Sequence, residues 1–207
     1  MRAIATWSAS LAGTAAISAG AYLWLDRPIA LTSYSYHAYQ ASFATLTYIA
    51  EPLAPLACAV FFALGLWVFS GRALSHAGTA ALLASISVLV TELTKSQLKY
   101  VFGRTWPETF VQNNPSFIRD GVYGFNFFHG GPGYGSFPSG HTAAVCALVS
   151  VLWIMLPKGR PLYVLVVAAV VIGLIGADYH FLSDMIAGGF LGTSIGWMTV
   201  ALWRQRA

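Results

Sequence analysis

Six windows without a formal charge divide this chain, at residues 3–25, 52–71, 73–91, 139–157, 161–177 and 185–203, each 17 to 23 residues long. About 20 helical residues, rising 1.5 Å each, cross a bilayer core of about 30 Å. Within hydrocarbon a backbone must satisfy its own polar groups, so windows of this length dictate helices. The helical pattern of the third runs on past Glu92 to about Phe102. The spans are placed at about 3–25, 52–71, 75–102, 139–157, 161–178 and 182–203. The fold class expected is all-α integral membrane: a six-transmembrane-helix bundle, single-domain over residues 1–207. Composition agrees, with 57% hydrophobic and 9% charged residues, where a soluble globule is nearer a quarter charged.

Residues 29–50, "IALTSYSYHAYQASFATLTYIA", are rich in Ser, Thr and Tyr. Tyrosines favour the interfacial level. The stretch reads as an interfacial helical segment between spans one and two, with a seventh span as the alternative. The first window is too long for a signal-peptide core and follows a single Arg, so it is read as a retained span. Cys58 and Cys146 lie in apolar windows and read as packing residues.

Six spans put both termini on one side. Placing them in the cytoplasm gathers Arg2, Arg72, Lys158, Arg160, Arg204 and Arg206 inside and leaves all seven acids outside. The net charge of +4 is therefore a topology signal, and no nucleic-acid partner is implied. The functional face is expected on the outer side.

Three patches with reactive side chains fall on that face. In "TELTKSQLKYVFGRTWPETF", residues 91–110, Glu92, Lys95 and Lys99 recur at helical spacing and share one stripe. Lysines snorkelling at a membrane border would explain one of them; a Glu–Lys–Lys stripe followed by Arg104 points to anion binding. In "GSFPSGHTAAV", Pro138 and Ser139 open a helix whose free N–H groups attract an anion. Gly140 lets that anion approach, and His141 is placed to protonate it. In "GADYHFLSDMIAG", His180 and Asp184 stand four apart on one helix face. A carboxylate there fixes the imidazole tautomer, as the orienting acid does in catalytic triads. A capped helix with an incidental His, and a structural His–Asp bond, are the plainer alternatives for the last two.

Together the patches suit phosphoryl transfer. His180 attacks phosphorus, and His141 protonates the leaving oxygen and then activates water. Lys99, Ser139 and the Gly140 N–H stabilise the phosphoryl oxygens. No acidic cluster suggests a metal, so neither metal nor cofactor is expected.

At these residues the chain resembles the type 2 phosphatidic acid phosphatase superfamily, integral-membrane lipid phosphate phosphatases related to acid phosphatases and vanadium haloperoxidases. That family carries Lys-x6-Arg-Pro, then Pro-Ser-Gly-His, then Ser-Arg-x5-His-x3-Asp. The middle block is intact at Pro138, Ser139, Gly140 and His141, and the third keeps its half from His180 to Asp184. Lys99 aligns with the first block, but Trp106 stands where its arginine is expected, and Gly173 and Leu174 replace Ser-Arg. Both phosphate-clamping arginines are absent from their usual places. Arg104 and Arg119 are the candidates to supply the missing charge, with Lys95, Trp106 and His129 as secondary site residues. The Gly- and aromatic-rich loop 121–137 reads as a lid or substrate mouth.

The resemblance implies hydrolysis of a lipid phosphate or diphosphate through a phosphohistidine intermediate. Undecaprenyl pyrophosphate, phosphatidylglycerol phosphate, phosphatidic acid and lipid A phosphate are the substrates it suggests. A lipid-to-lipid phosphotransferase and a non-catalytic lipid-binding or transport relative are the alternatives. The partners implied are the lipid phosphate and the bilayer; the oligomeric state is not specified.

Overall fold

The computed structural model describes residues 2–110 and 112–205, so Arg206 and the side chain of Arg2, two of the inner cations, lie outside the described residues. The fold is all-helical. No strand occurs among the described residues, only isolated bridges that pin the loops around Arg104 and Trp106.

The chain begins with α1 (Arg2–Gly20), passes through a π-helical turn at Ala21–Leu25, and continues without a break into α2 (Asp26–Tyr34). Pro28 accounts for the wider turn. It has no N–H to give the Trp24 carbonyl, and its ring presses on that carbonyl from one turn above. Asp26, read from the sequence as the charged flank of the first window, is instead fully buried.

After a 3-10 turn, α3 (Gln40–Thr47) lies across α8 (Arg160–Gly176). A β-carbon on Gly176 would sit 2.2 Å from Phe43 Cγ, and one on Gly173 2.8 Å from both Leu46 Cβ and the Phe43 carbonyl. Ser33 and Gln40 donate to the carbonyls of Ile175 (2.6 Å) and Ala177 (3.0 Å), so the segment from α2 to α3 covers the orphan carbonyls at the end of α8. Tyr34, Tyr36, Tyr39 and Tyr48 remain exposed along it.

The rest of the fold is α4 (Leu53–Phe69), α5 (His76–Phe102), the single turn α6 (Phe117–Asp120), α7 (Gly140–Met155) and α9 (Leu182–Arg204). Among the described residues, α5, the stretch Pro157–Gly176 that contains α8, and α9 are long and apolar enough to cross a membrane; α4 and α7 are apolar but 17 and 16 residues long. With 27 residues, α5 reaches about 40 Å, longer than the roughly 30 Å of a bilayer core. Glu92, Lys95 and Lys99 lie in its C-terminal half. It ends at Gly103, whose φ of 53° is open to glycine, and where a β-carbon would lie 1.9 Å from the Asn126 carbonyl.

The centre is the crossing of α7 with α9, where Gly188, Gly192 and Gly196 form a small-residue stripe at four-residue spacing. That crossing carries the Pro-Ser-Gly-His turn at one helix start and His180–Asp184 at the other.

Candidate active site

Five sequence-distant segments line one cavity of about 310 Å³, and three of them bring the reactive side chains. Lys95 and Lys99 come from α5, Gly140 and His141 from the first turn of α7, and His180 from the turn before α9; Trp106 closes one side. Gly140 lets Lys95 approach closely: a β-carbon there would lie 2.9 Å from Lys95 Nζ, the mobile end of that side chain. Lys95 pairs with Glu92 at 2.7 Å, and Lys99 Nζ stands 5.3 Å from the centre of the Trp106 ring. Two ammonium groups therefore face the positive end of a helix across a small cavity. Glu92 pairs with one of them and Glu51 also lines the cavity, which leaves Lys99 and the helix start as the groups that draw an anion.

Ser139 caps α7. Its hydroxyl accepts from the Thr142 N–H at 3.4 Å and bonds the Thr142 hydroxyl at 3.0 Å, while its own N–H donates to the Asp184 carbonyl at 3.0 Å. The cap leaves the N–H groups of Gly140 and His141 as the first-turn donors without a helical acceptor.

His180 is held from behind. Its Nδ1 lies 3.5 Å from Asp184 Oδ2 and 3.5 Å from Ser136 Oγ, so the opposite nitrogen, Nε2, is the one left for the cavity. Asp184 Oδ2 also accepts from Ser136 Oγ (2.6 Å) and from the Phe181 N–H (3.0 Å). Burial pushes the His180 imidazole below the ordinary histidine value, against the opposing pull of Asp184. The ring is neutral at neutral pH, and Nε2 has a free lone pair when Nδ1 keeps the proton toward Asp184.

The remaining candidates stand elsewhere. Arg104 is fully buried and does not line the cavity. It is bonded to Asp184, to Ser183 Oγ (2.6 Å), to Asp26 (2.7 Å) and to Tyr123 (3.3 Å), with four aromatic rings around its guanidinium. Arg119 is exposed and chelated by its neighbour Asp120 at 2.8 and 2.9 Å. His129 is exposed and packs on Tyr134. Loop 121–137 folds over Arg104, and none of its residues lines the cavity. Trp106 donates its ring N–H to the Pro132 carbonyl at 2.7 Å and lies against His180, ring centres 5.1 Å apart.

Sequence reasoning passed over Ser136, Ser183, Tyr123 and Asp26. Two of them adjoin recognised motifs, Ser136 two residues before Pro138 and Ser183 beside Asp184. Asp26 has no such signal, since its partners lie 78 and 157 residues away.

Among the described residues no group of three or more His, Cys, Asp or Glu is placed to hold a metal ion. A family model described as the PAP2 superfamily matches residues 79–207. The solved structure of a transmembrane PAP2-type phosphatidylglycerolphosphate phosphatase from Bacillus subtilis is similar over 95% of this chain and 87% of its own, at 17% identity and a TM-score of 0.45. No curated protein matches the sequence.

Proposed function

The chain belongs to the PAP2 superfamily, a family of phosphatases, and from that membership we propose that it hydrolyses a lipid phosphate or diphosphate by way of a phosphohistidine. The observation that carries this reading is the meeting of Lys95, Lys99, Gly140, His141 and His180 at one cavity. His180 Nε2 attacks phosphorus, and the bond from phosphorus to the leaving oxygen, that of the lipid or, in a diphosphate, the bridging oxygen of the lipid phosphate, breaks as His141 gives that oxygen a proton. Water, deprotonated by the now neutral His141, then attacks phosphorus and breaks its bond to Nε2, freeing phosphate and His180. Lys99 and the first N–H groups of α7 hold the phosphoryl oxygens, Lys95 adds a second cation, and Ser139 fixes the turn that presents those groups.

The single-domain, six-span frame, with both termini cytoplasmic and the cavity facing the periplasm of a bacterial inner membrane, belongs to the same proposal. It is supported by Arg72, Lys158, Arg160 and Arg204 collecting at helix ends opposite the cavity. The cavity is bordered by Ala50 and Ala54 at the start of α4, which leaves an acyl or prenyl chain in lipid while its headgroup reaches the histidines. The arginine-poor cavity favours a second reading, a relative that binds lipid phosphates without cleaving them.

The test is phosphate release by purified protein in detergent, offered phosphatidic acid, phosphatidylglycerol phosphate, undecaprenyl pyrophosphate and lipid A phosphate, with and without chelator. Hydrolysis of at least one, insensitive to chelator, is expected; release from none leaves the binding protein as the reading.

The same assay checks two consequences. His180 attacks only when Nε2 is bare, and its proton affinity is held below the ordinary value of about 6.5. The deprotonated form then persists to lower pH, and the acid limb of kcat/KM is expected below 6.5; a limb at or above that value contradicts the assignment. Arg119→Ala is expected to keep the wild-type rate within about twofold, since exposed ion pairs contribute little. A large loss would return Arg119 to the site.

A further inference from the structure

Behind His180 the acid that orients it, Asp184, belongs to a buried polar cluster whose other members the reaction just described does not use. Asp26, Arg104 and Asp184 are each 0% exposed. Asp26 Oδ1 accepts the Ser183 N–H at 2.9 Å, and Oδ2 accepts from Arg104 at 2.7 Å and from the Ser183 hydroxyl. Arg104 gives one terminal nitrogen to Asp26 and the other to Asp184, and Tyr123 donates to the Tyr22 carbonyl at 2.6 Å beside Asp26. A charge so buried is strongly disfavoured unless paired, and two carboxylates share this single guanidinium.

We propose that Asp26 is a positioning residue for the reaction: through Arg104 and Ser183 it holds Asp184, and through Asp184 the nucleophile His180, in register with the cavity. The proposal rests on the reading of His180 as the nucleophile. Its geometry is specific. Ser183 is the second residue of α9, so Asp26 accepts the free N–H of the helix whose next residue is Asp184. The acid therefore fixes where α9 begins. The π turn at Ala21–Leu25 delivers Asp26 to that point from a helix at the other end of the chain.

Its charge matters as well as its bonds. Arg104 with two carboxylates leaves the cluster one negative charge in excess. That charge faces the Nδ1 side of His180, where positive charge develops as Nε2 bonds phosphorus. The other charged or titratable groups facing His180 are Lys99 from α5 and His141 from α7, with Asp184 itself from α9. Two of these are bases that work against a cationic ring, which leaves the excess carboxylate to favour it.

The experiment is Asp26→Asn in the full-length protein, followed by kinetics and by ¹⁵N-histidine spectra. An amide can still accept the Ser183 N–H, but it removes the excess negative charge and leaves Arg104 paired with Asp184 alone. The expected result is a fall in kcat of about 10- to 100-fold with KM within about threefold, the size seen when groups that orient a reacting residue are removed. The acid limb moves to lower pH. The His180 nitrogen signals, assigned by their loss in His180→Ala, shift away from the wild-type Nδ1–H pattern. A merely structural role would lower yield or thermal stability and leave the pH limb in place. If Asp26→Asn does not fold, Arg104→Lys carries the test, since a lysine keeps the charge but cannot reach both carboxylates; the same kcat loss and nitrogen shift are expected. Wild-type kcat with unchanged His180 signals overturns the proposal. Should the wild-type protein cleave no lipid phosphate, the reading of the reaction fails and the spectra alone decide on Asp26.

Discussion

His180→Ala is expected to lower phosphate release by at least about 10³-fold, to the level of the detergent blank, while lipid phosphate still binds. Loss of a nucleophile removes the covalent route itself, and such losses run from about 10³ to 10⁶. A 10³-fold loss corresponds to about 4 kcal/mol of transition-state stabilisation. The binding contacts are made by other groups, namely Lys95, Lys99 and the first turn of α7, so affinity for a substrate lipid is expected within a few-fold of wild type. Quenching wild-type turnover in base and digesting the protein is expected to give an alkali-stable, acid-labile phosphate on the peptide containing His180 and on no other. Activity of His180→Ala above about one tenth of wild type, or label on the His141 peptide, removes His180 from its role. The separation of rate from binding is also what distinguishes an enzyme from a lipid-binding relative, in which His180→Ala alters neither.

How much of this was legible in the sequence depends on how far apart the cooperating residues lie. Pro138 to His141, and His180 with Asp184, are local patterns; helix periodicity places each group, and their neighbourhoods needed no distant information. The lysine stripe of α5 was equally plain. What the periodicity did not carry was contact between segments. Gly173 and Leu174 read as a vacancy where a clamp is expected. In the folded chain the stretch is filled: Phe43 and Leu46 of α3 leave no room for a β-carbon at 173, the serine position, and Leu174, at the arginine position, is fully buried in apolar packing. Arg104 read as a substitute clamp because it stands two residues from the lost position. Its surroundings include Tyr22, Asp26 and Ser183, and no spacing rule links those to residue 104. Asp26 was the hardest. A lone acid after 23 uncharged residues marks the end of a membrane window by the same logic that found the six windows. A buried acid whose partners lie over 70 residues away leaves the same trace.

The site also depends on how closely α9 approaches α7, and Gly188→Ala is expected to cost about 10²-fold in kcat/KM. A β-carbon at 188 would stand 2.5 Å from the Ser139 carbonyl oxygen and 3.3 Å from the Ser139 nitrogen. Ordinary contact between such atoms begins near 3.5 Å, so α9 must retreat by about 1 Å. The obstacle is backbone at a helix cap, which cannot swing aside as a flexible side chain does. The retreat separates the two halves of the site, because Ser139 leads into Gly140 and His141 while α9 begins beside His180 and carries Asp184. It also pulls on the bond from the Ser139 N–H to the Asp184 carbonyl, 3.0 Å long. A misplacement of about 1 Å between reacting groups costs about 10² in rate. Gly189→Ala is the control, one residue on and facing another direction, where a β-carbon meets Cys146 Sγ and Thr142 Cγ2 at 3.8 Å, ordinary contact. That variant is expected to match wild type. Gly192→Ala tests the converse: its β-carbon would stand 2.0 Å from the Ala143 carbonyl, a full turn from the reacting groups, and should lower thermal stability more than Gly188→Ala does. Equal kinetics for Gly188→Ala and Gly189→Ala would mean that the α7–α9 approach does not set the distance between the histidines.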